Sequence, residues 1–119
     1  MTSTQLAQHV AQLLEDRKAQ RVQILDIRKL SSVADFFVVC SGATPIQVRA
    51  LADHVEEKLA EMGVRPHHTE GYRLGRWVLM DYGDVVVHIL RNEERDFYSL
   101  ERLWGDAPLL DHRVLAGAR

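Results

Sequence analysis

Cys40 stands just ahead of a helix start, the setting that lowers a thiol pKa and makes a nucleophile. It also closes the run Phe36-Phe37-Val38-Val39, where a buried and inert cysteine is expected, and that reading is preferred. Ser41-Gly42 lies between an apolar strand and a proline-initiated helix, the position of a phosphate-binding turn. With one glycine and no lysine it is neither a Walker loop nor a dinucleotide fingerprint. His67 and His68 are adjacent, so in a strand they point to opposite faces and make a poor metal pair. His88 has no ligand at helical or hairpin spacing. Asp81 and Asp84 flank a turn, where carboxylates usually serve turn chemistry. A two-metal site would need them to converge with a third carboxylate, and Asp26 and Asp35 are available. No catalytic residue, metal or cofactor is assigned from these spacings.

The bulk properties point the same way. A chain of 119 residues with 46% hydrophobic and 27% charged residues reads as one soluble globular domain. Its apolar runs are far short of a membrane span. A single cysteine cannot form an internal disulfide, so a cytoplasmic location is expected. The net charge of -2 argues against broad nucleic-acid binding. Acidity is concentrated, however. Residues 70–106 hold Glu70, Asp81, Asp84, Glu93, Glu94, Asp96, Glu101 and Asp106 against five arginines, whereas residues 1–69 balance. A basic macromolecular partner is inferred.

Leu6, Val10, Leu13 and Leu14 recur at helical spacing and predict a helix over about residues 4–18, capped by Thr2 with Gln5 or by Ser3. Residues 21–27 and 36–40 read as strands, the second covered on both faces. Thr44, Pro45 and Gln47 start a helix whose stripe is Val48, Leu51, Ala52, Val55, Leu59 and Met62, stopped by Gly63. Residues 64–70 predict a short edge strand because of Pro66. Trp77 to Met80 and Val85 to Leu90 form two strands around Asp81-Tyr82-Gly83-Asp84. Asn92 is expected to cap a last helix lined by Phe97, Leu100, Leu103 and Trp104, ended by Gly105 and Pro108. The fold class is α/β (α+β): one mixed sheet of about five strands with helices mainly on one face, in the order α-β-β-α-β-β-β-α. One domain spans 1–110, and 111–119 is expected to be a flexible tail.

If the turn pairs Met80 with Val85, Trp77 faces His88. One hairpin face then carries Val78, Met80, Val85, Val87 and Ile89, with no polar member. The other carries Trp77, Leu79, Asp81, Asp84, Val86 and His88. The first belongs under the helices. The second is too apolar for idle solvent and too polar for a deep core. Either another segment covers it or it is a docking face, since aromatic anchors ringed by polar groups resemble binding hot spots. A one-residue bulge at the turn would swap the two faces.

The segments SSVADFFVVCSGAT (Ser31–Thr44), EGY (Glu70–Tyr72), WVLMDYGDVVVHIL (Trp77–Leu90) and ERDFYSLERLWGDAP (Glu94–Pro108) resemble the Iojap, or ribosomal silencing factor, family over nearly all of residues 4–110. The resemblance implies a fold related to the nucleotidyltransferases and a function without catalysis. It implies binding to the large ribosomal subunit through its ribosomal protein fourteen, blocking of small-subunit joining and repression of translation. It is compatible with a homodimer of the free protein. Active nucleotidyltransferases carry Gly-Ser at the strand-helix turn and Asp-x-Asp on the next strand. Here the turn reads Ser41-Gly42, and residues 64–70 hold no Asp-x-Asp.

The partner surface is therefore expected to centre on Trp77, Leu79, Asp81, Tyr82 and His88, with acidic contacts from Glu93, Glu94 and Asp96 at the last helix start. Tyr98 and Trp104 could join, but at helical spacing with Phe97 and Leu100 both read more readily as core. Little direct nucleic-acid contact and no membrane contact are expected. The alternative is a degenerate Mg²⁺-dependent nucleotidyltransferase or phosphohydrolase using Asp26, Asp81 and Asp84. A third reading is a self-associating adaptor with the Trp77 face buried in a homodimer.

Overall fold

A computed structural model describes residues 1–98 and 109–110 of the chain. The elements run α1 (Ser3–Asp16), β1 (Gln20–Asp26), β2 (Phe36–Gly42), α2 (Pro45–Glu61), β3 (His68–Glu70), β4 (Trp77–Asp81), β5 (Val85–Arg91), α3 (Asn92–Tyr98) and β6 (Leu109–Leu110). The expected order and mixed sheet are present. A two-residue strand, β6, joins the five expected strands by pairing antiparallel with β1. The expected residues Leu100, Leu103, Trp104, Gly105 and Pro108 of the last helix lie outside the described residues, as does the tail from 111 to 119.

Local chemistry sets the helix starts. Thr2 and Gln5 form a reciprocal capping box: Thr2 Oγ1 accepts the Gln5 N–H at 3.1 Å, and Gln5 Oε1 accepts the Thr2 N–H at 2.9 Å. At α2, Thr44 Oγ1 accepts the Gln47 N–H at 3.1 Å. Gln47 reaches one residue further back than in that box and accepts the Ala43 N–H at 2.7 Å. Asn92 is not the cap expected for α3. It is the helix's first residue, and its buried Oδ1 finds no hydrogen-bond partner among the described residues.

The sheet order is β3-β4-β5-β2-β1-β6. Among the described residues, β2 and β5 run parallel and the other neighbours are antiparallel. α2 and the β3-β4 hairpin make the crossover between the parallel pair. The two faces of the sheet differ. Ile24, Phe36, Val38, Cys40, Val78, Met80, Val85, Val87 and Ile89 pack under α1 and α2 with Val10, Leu14, Leu51, Val55 and Leu59. Leu25, Ile27, Ala34, Val39, Val86 and Leu90 form a second, smaller cluster on the opposite face, bordered by Phe37, Trp77 and Leu79. The central strand β2 is thus apolar on both sides, which explains its unalternated sequence.

The hairpin register differs from the expected one. Asp81 pairs with Val86, Met80 with Val87, Leu79 with His88 and Trp77 with Leu90. The turn has slid one residue along the chain because it starts at Asp81, whose Oδ1 accepts the Gly83 N–H at 2.7 Å while Gly83 adopts φ +89°. Sliding both strands moves every partner by two positions. Side chains alternate with period two, so the face assignments survive the slip.

Candidate partner-binding surface

On the face opposite α1 and α2, register aligns side chains in rows across the strands. One row runs His68, Asp81, Val86, Phe37, Leu25; the next runs Glu70, Leu79, His88, Val39, Gln23. Trp77 lies one step beyond the second row, opposite Leu90. Burial divides these rows. Leu25, Val39, Val86, His88 and Leu90 are buried, whereas Trp77, Leu79, Asp81 and Phe37 are only partly covered. The open part of the sheet is therefore local. It follows β4 and reaches Phe37 at the centre.

His88 supports this surface from below. It is 5% exposed, and burial lowers its pKa to about 4, so the ring is neutral at pH 7. The Trp77 indole N–H donates to His88 Nδ1 at 3.1 Å, which assigns the ring proton to Nε2. The Phe37 ring meets the imidazole edge-on at 4.7 Å between centroids. An imidazole thus sets the angle of the tryptophan, and a phenyl ring holds the imidazole. His88 was expected among the contacts; its burial makes it a support beneath Trp77.

Tyr82 is a correction of a different kind. It was grouped with Trp77, but it turns to the helix side, is 7% exposed and joins the main core. Its hydroxyl has no hydrogen-bond partner among the described residues, and burial followed by the Glu56 charge raises its pKa. The shifted turn explains this, because Tyr82 follows Met80 by two positions and shares its face.

The acidic residues are less free than the sequence suggests. Arg91 holds Glu94 in a two-pronged contact, Nε to Oε1 at 2.7 Å and Nη2 to Oε2 at 3.0 Å, which lowers the Glu94 pKa. Its Nη2 also lies 3.3 Å from Glu93. Asp96 pairs with Arg21 at 2.8 Å. Glu93 keeps a largely exposed side chain. Asp81 lies within 3.5 Å of His68, which also contacts Glu70 at 2.8 Å. His68, Glu70 and Phe37 are not assigned to the partner surface by the sequence. The alternation of β3 was a signal for the first two, but only its pairing with β4 places them beside Asp81 and Leu79.

The carboxylates of the alternative enzymatic reading do not meet. Asp26 lies on β1 and Asp81 on β4, with β2 and β5 between them. Three strand spacings amount to about 14 Å, beyond a shared two-metal centre. Arg28 grips Asp26 with contacts of 2.9 and 2.6 Å and lowers its pKa. Among the described residues, no three His, Cys, Asp or Glu side chains are grouped to hold a metal ion. Cys40 is fully buried, and desolvation pushes its thiol up to about 12. Among the described residues no helix is long and apolar enough to cross a membrane.

Comparison with known proteins bears directly on the family. The model of a family described as "ribosomal silencing factor during starvation" matches residues 1–118. The ribosomal silencing factor RsfS of Halalkalibacterium halodurans is 41% identical over 111 residues, covering 93% of this chain and 95% of that protein. The chloroplastic protein Iojap of Zea mays is 29% identical over 105 residues, 82% of this chain and 42% of the longer plant protein. A crystal structure of a Chromobacterium violaceum protein superimposes with a TM-score of 0.85 at 41% identity, covering 88% of each chain. The matched length, the identity and the shared fold agree, and the chain belongs to the ribosomal silencing factor family.

Proposed function

We propose that this chain represses translation by docking on the large ribosomal subunit, through its ribosomal protein fourteen, and sterically blocking the small subunit. The observation that carries this reading is the partly open sheet face along β4, where Trp77 and Leu79 stand beside Asp81 and Glu70. Covering such apolar side chains is worth roughly 1.5–3 kcal/mol each when burial is complete. Trp77 is held at one angle by His88, so little freedom is lost when a partner covers it. Asp81, Glu70 and Glu93 supply negative charge toward a basic ribosomal protein and help set register. Glu94 and Asp96 act at the rim, each already facing an arginine. The role calls for no catalytic residue or cofactor and places the protein in the cytoplasm with ribosomes. The same apolar patch suits a homodimer of the free protein, so self-association and ribosome binding would compete for Trp77.

The test is direct. Purified protein should pellet with isolated large subunits and prevent their pairing with small subunits. Trp77→Ala should lose both effects while keeping its circular dichroism. Normal subunit joining at saturating protein would end the proposal. Calorimetry with Mg²⁺ and nucleotides should give no binding heat; a saturable heat would favour the enzymatic alternative instead.

A further inference from the structure

We propose that the 71–76 loop and the first turns of α2 form a second contact surface, which grips the phosphate backbone of RNA beside the Trp77 platform. The inference rests on the large-subunit reading above and adds a second class of contact to it. The parallel strands β2 and β5 end together, Gly42 opposite Arg91, and α2 departs from that end. In open sheets, ligands gather beyond the carboxyl ends of parallel strands. Two contacts place four arginines at this end of the sheet. Arg49 Nη1 donates to the Arg73 carbonyl at 3.1 Å, and the Arg91 N–H donates to the Arg76 carbonyl at 2.8 Å.

Two of these cations are spent within the fold. Arg91 holds Glu94, and Arg49 braces the loop. Arg73 and Arg76 are exposed, and among the described residues neither side chain forms an ion pair or hydrogen bond. Nearby acids are only partly offset: Arg91 contacts both Glu93 and Glu94, the Arg76 charge also helps to lower the Glu94 pKa, and the Tyr72 hydroxyl donates to Asp53 at 3.1 Å. The loop that displays Arg73 and Arg76 is pinned at both ends. A Cβ at Gly71 would sit 2.0 Å from the Trp77 carbonyl oxygen, and one at Gly75 would sit 2.8 Å from that of Pro45. Both glycines also take positive φ.

The loop therefore lies flat against α2 and β4, so its backbone is already ordered and only the arginine side chains lose freedom on binding. Planar guanidinium groups suit bidentate phosphate contact. A ribosomal subunit is largely RNA, so phosphate is the anion such a patch meets beside a protein anchor. Arg76 directly precedes Trp77, so one docking pose engages both surfaces. The chain's net charge of -2 concealed this patch because it averages over the whole surface. Contacts of this kind position the protein and carry no sequence reading.

The experiment titrates full-length wild type, Arg73→Gln/Arg76→Gln and Trp77→Ala against isolated large subunits at several salt concentrations. Two lost phosphate contacts should reduce the slope of log affinity against log salt by about one to two. Between 50 and 200 mM salt, wild type should then lose up to ~12-fold more affinity than the double variant. An unchanged slope, with wild type bound and Trp77→Ala weakened, overturns this inference and leaves the docking reading intact. Absence of wild-type binding overturns both. A second arm uses RNA-free proteins extracted from the large subunit. If the double variant is equally impaired there, the patch reads protein carboxylates, and the RNA assignment is wrong.

Discussion

The two faces of the sheet are built from alternate residues of the same strands, yet they have opposite fates. On the helix side Phe36, Val38, Val78, Met80, Val87 and Ile89 are almost fully excluded from solvent beneath α1 and α2. On the other side Val86, His88 and Leu90 are buried, while Trp77, Leu79, Phe37 and Asp81 stay partly open. The first face stores stability. The second uses a buried histidine to orient a surface tryptophan. Complete burial and partial exposure are thus separated by a single step along each strand.

The largest expected break in this comparison is Phe36→Ala. It leaves a cavity in the helix-covered core and should cost about 3–5 kcal/mol, measured by urea unfolding. A loss below about 1 kcal/mol would mean that this face is not the principal core. His88 tests the other face through pH. Its folded pKa, about 4, lies below the ordinary 6.5, so the unfolded chain binds the extra proton first. Above pH 6.5 the neutral ring carries no charge-burial penalty, and stability is lost as pH falls from there through 4. The total loss is about 3 kcal/mol, and His88→Leu should remove that part of the pH dependence. An identical pH profile in the variant would show that the imidazole is not buried neutral.

Trp77→Ala should weaken large-subunit binding by about 2 kcal/mol, or roughly thirtyfold in Kd, and lower Tm far less than Phe36→Ala. A variant that melts like Phe36→Ala would place Trp77 with the core residues and erase the contrast between faces. The smallest effect is expected for Glu93→Lys, which should slow association by about twofold at low salt and leave dissociation unchanged. A changed dissociation rate with unchanged association would make Glu93 a buried contact instead of a steering charge.

Much of the fold was legible because its signals are local. The Thr2 and Thr44 caps, the α2 stripe and the apolar run of β2 depend on neighbours within a few residues. The hairpin faces were also legible, and they withstood a wrong register because a two-residue slip preserves alternation. Tyr82 was misplaced for the complementary reason. A turn that begins one residue later moves a loop aromatic onto the strand's inward face. The short strand β6 was not expected, since two leucines without pattern become a strand only through pairing with β1. The platform was half visible: Trp77, Leu79 and Asp81 follow from one strand, whereas Phe37, His68 and Glu70 join only through cross-strand registry.

The amino-acid order alone determined which residues alternate, where helices start and which hairpin face is wholly apolar, because these depend on backbone period and on short-range hydrogen bonds. Tertiary structure decided the rest. It buried His88 under Trp77, gave Asp96 its arginine partner, and separated Asp26 from Asp81 by two intervening strands. It also gathered Arg49, Arg73, Arg76 and Arg91 at one end of the sheet. Each of these depends on a contact between residues distant in the chain or on the order of strands in the sheet, and the parallel pairing of β2 with β5 leaves no local trace in the sequence.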